Sequence, residues 1–290
     1  MSIFKGSATA MITPFKNDKI DFDAFGRLID YQLENCTDAL VICGTTGEAP
    51  TLTFDEKCAA ISFAVERVQG KLPVIAGTGA NSTNEAIHMS QTAEKLGASA
   101  LLIVTPFYNK ATQKGLIAHY TAIADSVHTP IIVYNVPGRT GVNVLPATMK
   151  ALSEHENITA IKEASGNISQ ITELASICDC DIYSGCDDQV LPILSVGGKG
   201  VISTISNLIP KEMHELCASY HSGNTERAMK LQFRMLPIFR AAFCEVNPIP
   251  IKTMMSLYGM CEADMRLPLT PPGEADLEFI KNTMKEYGLL

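Results

Sequence analysis

The chain has 290 residues, 46% of them hydrophobic and 19% charged, enough to bury roughly three quarters of its unfolded surface, which excludes disorder and fibrous repeats. Its 23 Lys and Arg stand against 31 Asp and Glu, a net charge of −8 that repels a polyphosphate backbone, so nucleic acid is not an expected partner. Apolar runs such as Ala39 to Cys43 are far shorter than the ~18 residues of a membrane span, and Met1 to Thr9 has no signal-like apolar core, so a cytoplasmic protein is expected.

Short β-branched runs bounded by Gly, Pro or small polar residues recur along the chain. They are Ser7 to Ile12, Ala39 to Cys43, Pro73 to Ala76, Ala100 to Val104, Ile131 to Tyr134, Ile158 to Lys162, Asp181 to Ser184 and Gly200 to Ser203. Helical periodicity fills the gaps, as in Phe25, Leu28, Ile29 and Leu33, in Ile61, Ala64, Val65 and Val68, and in Met213, Leu216, Cys217 and Tyr220. Thr53 with Glu56, and Ser82 with Glu85, each have the spacing of a capping box. Eight βα units predict a (β/α)8 TIM barrel over residues 1–222. A doubly wound open sheet is the other candidate, but Thr13-Pro14-Phe15 stands where its glycine-rich fingerprint belongs. Residues 223–290 repeat helical spacing at Ala228, Leu231 and Met235, then at Leu277, Ile280 and Met284, and predict a C-terminal helical region.

The nine cysteines form no C-x-x-C pair, and Cys178, Cys180 and Cys186 match no common zinc framework. Reduced thiols and no metal site are expected. Asp187-Asp188 reads as the acidic start of a helix through Val190 and Leu194. Gly197-Gly198-Lys199-Gly200 precedes the eighth strand and so lies on the face opposite a barrel's active site.

Barrel chemistry sits where strands end. Lys162 ends the sixth run, and period two puts Ile158, Ala160 and Lys162 on one side, so an inward Ala160 carries the amine inward. Desolvation there yields a neutral amine able to attack a carbonyl; a pairing with Glu163, or an outward lysine, is the ordinary alternative. Tyr134 and Tyr108 offer phenols, and Thr45 a hydroxyl, for proton transfer, although strand-end aromatics also pack and turn threonines also satisfy backbone. Arg139, after Pro137-Gly138, offers a planar fork to a carboxylate at the barrel mouth, or stands there as a solvated loop arginine.

G-T-T-G-E at Gly44 to Glu48, P-V-I-A-G-T-G at Pro73 to Gly79, V-T-P-F-Y-N at Val104 to Asn109, Y-N-V-P-G-R-T-G at Tyr134 to Gly141, I-K-E-A-S-G-N at Ile161 to Asn167, G-G-K-G-V-I-S at Gly197 to Ser203 and N-P-I-P-I-K at Asn247 to Lys252 occur in this order. Together they resemble the dihydrodipicolinate synthase family of pyruvate-dependent class I aldolases, from Gly6 to the C-terminus. The resemblance implies that Lys162 forms a Schiff base with pyruvate and that Tyr134, Thr45 and Tyr108 relay protons. It implies that Thr46 holds the pyruvate carboxylate, Arg139 holds that of L-aspartate 4-semialdehyde, and Gly185 and Ile202 lie in the substrate pocket. No metal or organic cofactor is implied, because the lysine is the electron sink. A homotetramer is implied, with Tyr108 entering a neighbouring subunit's site.

N-acetylneuraminate lyase and 2-keto-3-deoxy acid aldolases share the lysine and tyrosine, but Arg139 and the second threonine of Gly44-Thr45-Thr46-Gly47 favour the synthase. A non-catalytic binding barrel would lack the nucleophile or a relay residue, and none is missing. Some relatives are inhibited by lysine at a cleft between subunits. Asn81 and Glu85 keep the polar character of that cleft, whereas Ala49, Phe54, Lys57 and Phe107 depart from it, so weak or absent inhibition is expected.

Overall fold

Eight strands in the computed structural model, which describes residues 2–290, pair in parallel and close on themselves. They are β1 (Gly6–Ala10), β2 (Ala39–Ile42), β3 (Val74–Gly77), β4 (Ala100–Val104), β5 (Ile131–Asn135), β6 (Ile158–Glu163), β7 (Asp181–Ser184) and β8 (Gly200–Ser203). Ala8 of β1 is in register with Ile202 of β8 on one side and with Ala39 of β2 on the other, which completes the barrel. The fold is a (β/α)8 TIM barrel.

Helices α1 (Phe22–Glu34), α2 (Phe54–Val68), α3 (Thr83–Lys95), α4 (Gln113–Ala124), α5 (Pro146–Leu152), α6 (Ile168–Ile177), α7 (Val190–Ser195) and α8 (Pro210–His221) follow the successive strands. Three more come after them: α9 (Thr225–Ala242), α10 (Ile249–Leu257) and α11 (Glu274–Tyr287). Thr53 and Glu56 form the full reciprocal capping box at the start of α2. At α3 only half of the expected box is made: Ser82 accepts from the Glu85 amide, and no return bond from the Glu85 side chain accompanies it. No helix among the described residues is long and apolar enough to cross a membrane.

Alternation along the strands divides the apolar residues into two layers. Ala8, Val41, Ile75, Leu102, Ile132 and Ala160 fill the barrel interior, while Leu40, Ile42, Leu101, Ile103, Val133 and Ile161 face the helices. The floor is closed by Phe4 stacked on Tyr183, ring centroids 4.2 Å apart, with the Tyr183 hydroxyl donating to the Phe4 carbonyl at 2.8 Å. A packed floor leaves the C-terminal ends of the strands as the open end.

Strand β6 corrects one expectation. Ile131 pairs with Ile158 but Ile132 pairs with Ala160, so the register slips at Thr159 and Ile158 turns outward into the helix-facing layer. An extra residue in one strand reverses every side chain before it. The slip lies ahead of Ala160, so Ala160 and Lys162 keep the inward face. Strand β2 ends one residue early because Cys43 takes a left-handed conformation, φ 58°.

Candidate active site

Lys162 ends the inner face of β6 and is 6% exposed. Across the register pair Tyr134↔Lys162, its Nζ lies 4.4 Å from the centroid of the Tyr134 ring. Among the described residues no carboxylate lies within ion-pair distance of Lys162. The expected alternative of a Lys162–Glu163 pairing is not formed, because Glu163 is on the outer face. Its carboxylate accepts from Asn135 Nδ2 at 3.1 and 3.2 Å and from the Ser165 amide at 2.8 Å. Burial raises the Glu163 carboxyl above its ordinary range, against those bonds. This polar network ties the ends of β5 and β6 from behind.

A cavity of about 130 Å³ surrounds Lys162, with Thr45, Thr46, Tyr134, Arg139, Gly185 and Asn247 in its wall. Thr45, Tyr134 and Arg139 also line a larger cleft of about 650 Å³. The small chamber at the lysine and the larger cleft therefore share one wall.

Each side chain has a local reason for its place. After Cys43 the chain turns through Gly44 to Glu48, with the Gly47 amide bonded to the Gly44 carbonyl and the Glu48 amide to the Thr45 carbonyl, both at 3.1 Å. Thr46 is buried, and its Oγ1 accepts from Asn247 Nδ2 at 3.0 Å and lies 3.5 Å from Thr204 Oγ1. Arg139 rides on a short helical turn, Pro137–Thr140, and its Nη2 donates to the Asn247 carbonyl at 3.0 Å. Gly185 has no room for a side chain: a Cβ would stand 2.7 Å from Ala164 Cβ and 3.0 Å from Lys162 Cε. A glycine is needed there for the chain leaving β7 to pass beside the lysine.

Asp187 and Asp188 stand at the expected helix start, but the Asp187 carboxylate serves another element. The Asp187–Gln189 segment is a 3₁₀ turn, and the Asp187 carboxylate is buried with Oδ2 accepting from the Thr204 and Ile205 amides at 3.0 and 3.1 Å. It anchors the turn after β8 that carries Thr204, and burial raises its carboxyl above the ordinary range. Cys186 lines the chamber, but burial and the neighbouring aspartates push its thiol up to about 12, so it stays protonated and is a poor nucleophile near neutrality. All nine cysteines are free, and no group of three His, Cys, Asp or Glu positioned to hold a metal occurs among the described residues.

A family model, the Dihydrodipicolinate synthetase family, matches residues 3–287. The chain belongs to this family. Over 291 residues it is 53% identical to the 4-hydroxy-tetrahydrodipicolinate synthase of Caldicellulosiruptor saccharolyticus, covering 100% of this chain and 99% of that one. The crystal structure of dihydrodipicolinate synthase from Thermotoga maritima superposes with a TM-score of 0.98 at 46% identity, covering 100% of both chains. The Acinetobacter baumannii enzyme complexed with pyruvate gives 0.97 at 39% identity, covering 99% of each.

For this member of the family, the chamber brings together six of the eight residues singled out from the sequence: Lys162, Tyr134, Thr45, Thr46, Arg139 and Gly185. Ile202 is inside the barrel cluster beside Tyr134 and Ala160, is 1% exposed, and is not among the residues lining the chamber. Tyr108 lines neither space; it stands on the loop after β4 with φ 73° and is 91% exposed. Sequence reasoning gave no role to Asn247, which bonds both Thr46 and Arg139. Its only signal was its position at the head of the N-P-I-P-I-K string.

Proposed function

We propose that the chain condenses pyruvate with L-aspartate 4-semialdehyde, the 4-hydroxy-tetrahydrodipicolinate synthase reaction of diaminopimelate and lysine biosynthesis. The observation that carries this is a buried amine free of any carboxylate partner among the described residues, in a chamber walled by hydroxyls and one guanidinium. The activity printed for relatives about half identical over full length supports it.

In this reading the Lys162 amine attacks C2 of pyruvate and loss of water leaves the imine. Thr46 holds the pyruvate carboxylate. A proton leaves C3, and the resulting enamine adds to the aldehyde carbon of the semialdehyde, whose oxygen takes up a proton. The new adduct's own amine then attacks C2, closes the six-membered ring and releases Lys162. Tyr134 and Thr45 carry the protons, together with Tyr108. Arg139 holds the semialdehyde carboxylate at the mouth through a charge-assisted fork. The Gly185 carbonyl completes the substrate pocket, with Ile202 packed behind its wall in the barrel cluster.

Residues 1–222 form the catalytic barrel in this account, and the helical region 223–290 supplies Asn247. The enzyme acts as a homotetramer in the cytoplasm. Free thiols support the compartment, and the projection of Tyr108 away from its own chamber supports a shared site, since so large an apolar surface is costly in water.

Product formation by the purified chain tests the function: turnover with pyruvate and L-aspartate 4-semialdehyde is expected. Cleavage of N-acetylneuraminate or a 2-keto-3-deoxy acid, without that condensation, would overturn it.

A further inference from the structure

Glu48 and Lys252 are 204 residues apart in the chain and meet in the interior, with Lys252 Nζ donating to Glu48 Oε1 at 2.5 Å and the two side chains 1% and 0% exposed. The other carboxylate oxygen accepts the Arg266 amide at 3.2 Å, and Nζ lies 4.0 Å from the centroid of the Phe15 ring. Burial pulls the Lys252 ammonium below the ordinary lysine range, against the attraction of Glu48. Such a pair is a poor source of stability, because desolvating two ions cancels most of their attraction, and an apolar pair of similar volume does as well. What it does supply is a fixed separation between two backbone segments.

Those segments both carry site residues. Glu48 closes the turn of Thr45 and Thr46, its amide bonded to the Thr45 carbonyl and its own backbone left-handed at φ 55°. Lys252 lies in the first turns of α10, its amide bonded to the carbonyl of Pro248, directly after Asn247. Asn247 reaches Thr46 with its side chain and Arg139 with its carbonyl. The threonine turn is thus fastened to the head of α10 twice, once inside the chamber by Asn247 and once behind it by the ion pair. Neither Glu48 nor Lys252 lines the chamber or the cleft, so neither touches substrate.

We propose that the Glu48–Lys252 pair is a positioning device for the reaction, holding the Thr45–Thr46 turn against α10 so that the threonine hydroxyls and Arg139 share one frame above Lys162. The proposal rests on the reading of the site given above.

The test compares full-length Glu48→Asp and the double variant Glu48→Gln/Lys252→Met with the unaltered protein. The readouts are melting temperature, the separate KM values for pyruvate and semialdehyde, kcat, and the mass of the borohydride-trapped pyruvate adduct at limiting pyruvate. Removing both charges leaves the double variant melting close to the unaltered protein. Its pyruvate KM rises about tenfold or more, the scale expected when a binding group shifts by a fraction of an ångström. The semialdehyde KM rises less. Glu48→Asp keeps both charges but draws the carboxylate back by one methylene; it stays folded and shows the same split between the two KM values, several-fold in size. Unaltered pyruvate KM and trapping in either folded variant would overturn the proposal and leave the pair a purely structural contact. Failure of the underlying reading looks different, since the unaltered protein itself would then trap no pyruvate at Lys162.

Discussion

Tyr134 and Lys162 are register partners on adjacent strands, and the amine of one lies 4.4 Å from the ring centroid of the other. The contact seats the Lys162 nitrogen on the face of the ring with neither a covalent bond nor an ion pair to lock it. Tyr134→Phe keeps that face and removes only the hydroxyl. Melting temperature is expected to change little, while kcat falls by ~10²- to 10⁴-fold, the usual contribution of a positioned proton-transfer group. Steady-state kinetics beside thermal melts check this; near-normal kcat would remove Tyr134 from the relay.

Arg139 is expected to act on the second substrate. Its guanidinium is already oriented by the Asn247 carbonyl, so little ordering remains when a carboxylate arrives. Arg139→Ala should cost about 2 to 4 kcal/mol in kcat/KM for the semialdehyde while the pyruvate KM moves little. Initial rates with each substrate varied in turn decide it, and an equal effect on both would contradict the assignment.

The capping box at the start of α2 also carries a pH dependence. Glu56 accepts both guanidinium nitrogens of Arg266, at 2.8 and 2.6 Å, and these bonds hold its carboxyl at about 2, against an ordinary 4.5. A carboxyl whose folded value is depressed stabilises above its unfolded value and loses that contribution as pH falls toward the folded one. Glu56→Gln should therefore lower stability by roughly 1 to 2 kcal/mol at neutral pH, after discounting for solvent, with the gap closing between pH 4.5 and 2. Urea unfolding across that range measures it; a gap independent of pH would contradict the linkage.

The large cleft gathers Asn81 and Glu85 together with Ala49, Phe54, Lys57 and Phe107. Phe54 is stacked on His88 with ring centroids 4.8 Å apart, which puts aromatic surface where a polar ligand would need partners. Lys57 lines the same cleft, where an inward-pointing positive charge would repel the ammonium groups of a bound lysine. Binding weakened by about a hundredfold or more is expected from the lost hydrogen bonds and this repulsion. Lysine titration of the steady-state rate should show little inhibition at physiological concentrations. Half-inhibition in the sub-millimolar range would contradict it.

What the sequence made legible was local. Alternation from Ala160 fixed the inward face of Lys162, and Thr53 with Glu56 spelled out a cap that forms in full. Period two put Ile158 on the inward side with Ala160, and the one-residue slip that turns it outward leaves no mark in hydrophobic period; Ser82 matched the capping spacing without the return bond. Long-range contacts were invisible for a different reason. Asn247 meeting Thr46, and Lys252 meeting Glu48, join segments about 200 residues apart, and only the closed barrel with its trailing helices brings them together. Asp187 stands at the helix start that its neighbours spell out, while the partners of its carboxylate, two amides beyond β8, are supplied by the fold.

Lys162 is the proposed covalent nucleophile. Borohydride reduction in the presence of pyruvate, followed by peptide mass spectrometry, is the most direct measurement. One pyruvate-derived group per chain on Lys162, absent without pyruvate and absent in Lys162→Ala, is the predicted result. Modification at another residue, or undiminished turnover by Lys162→Ala, would contradict the account.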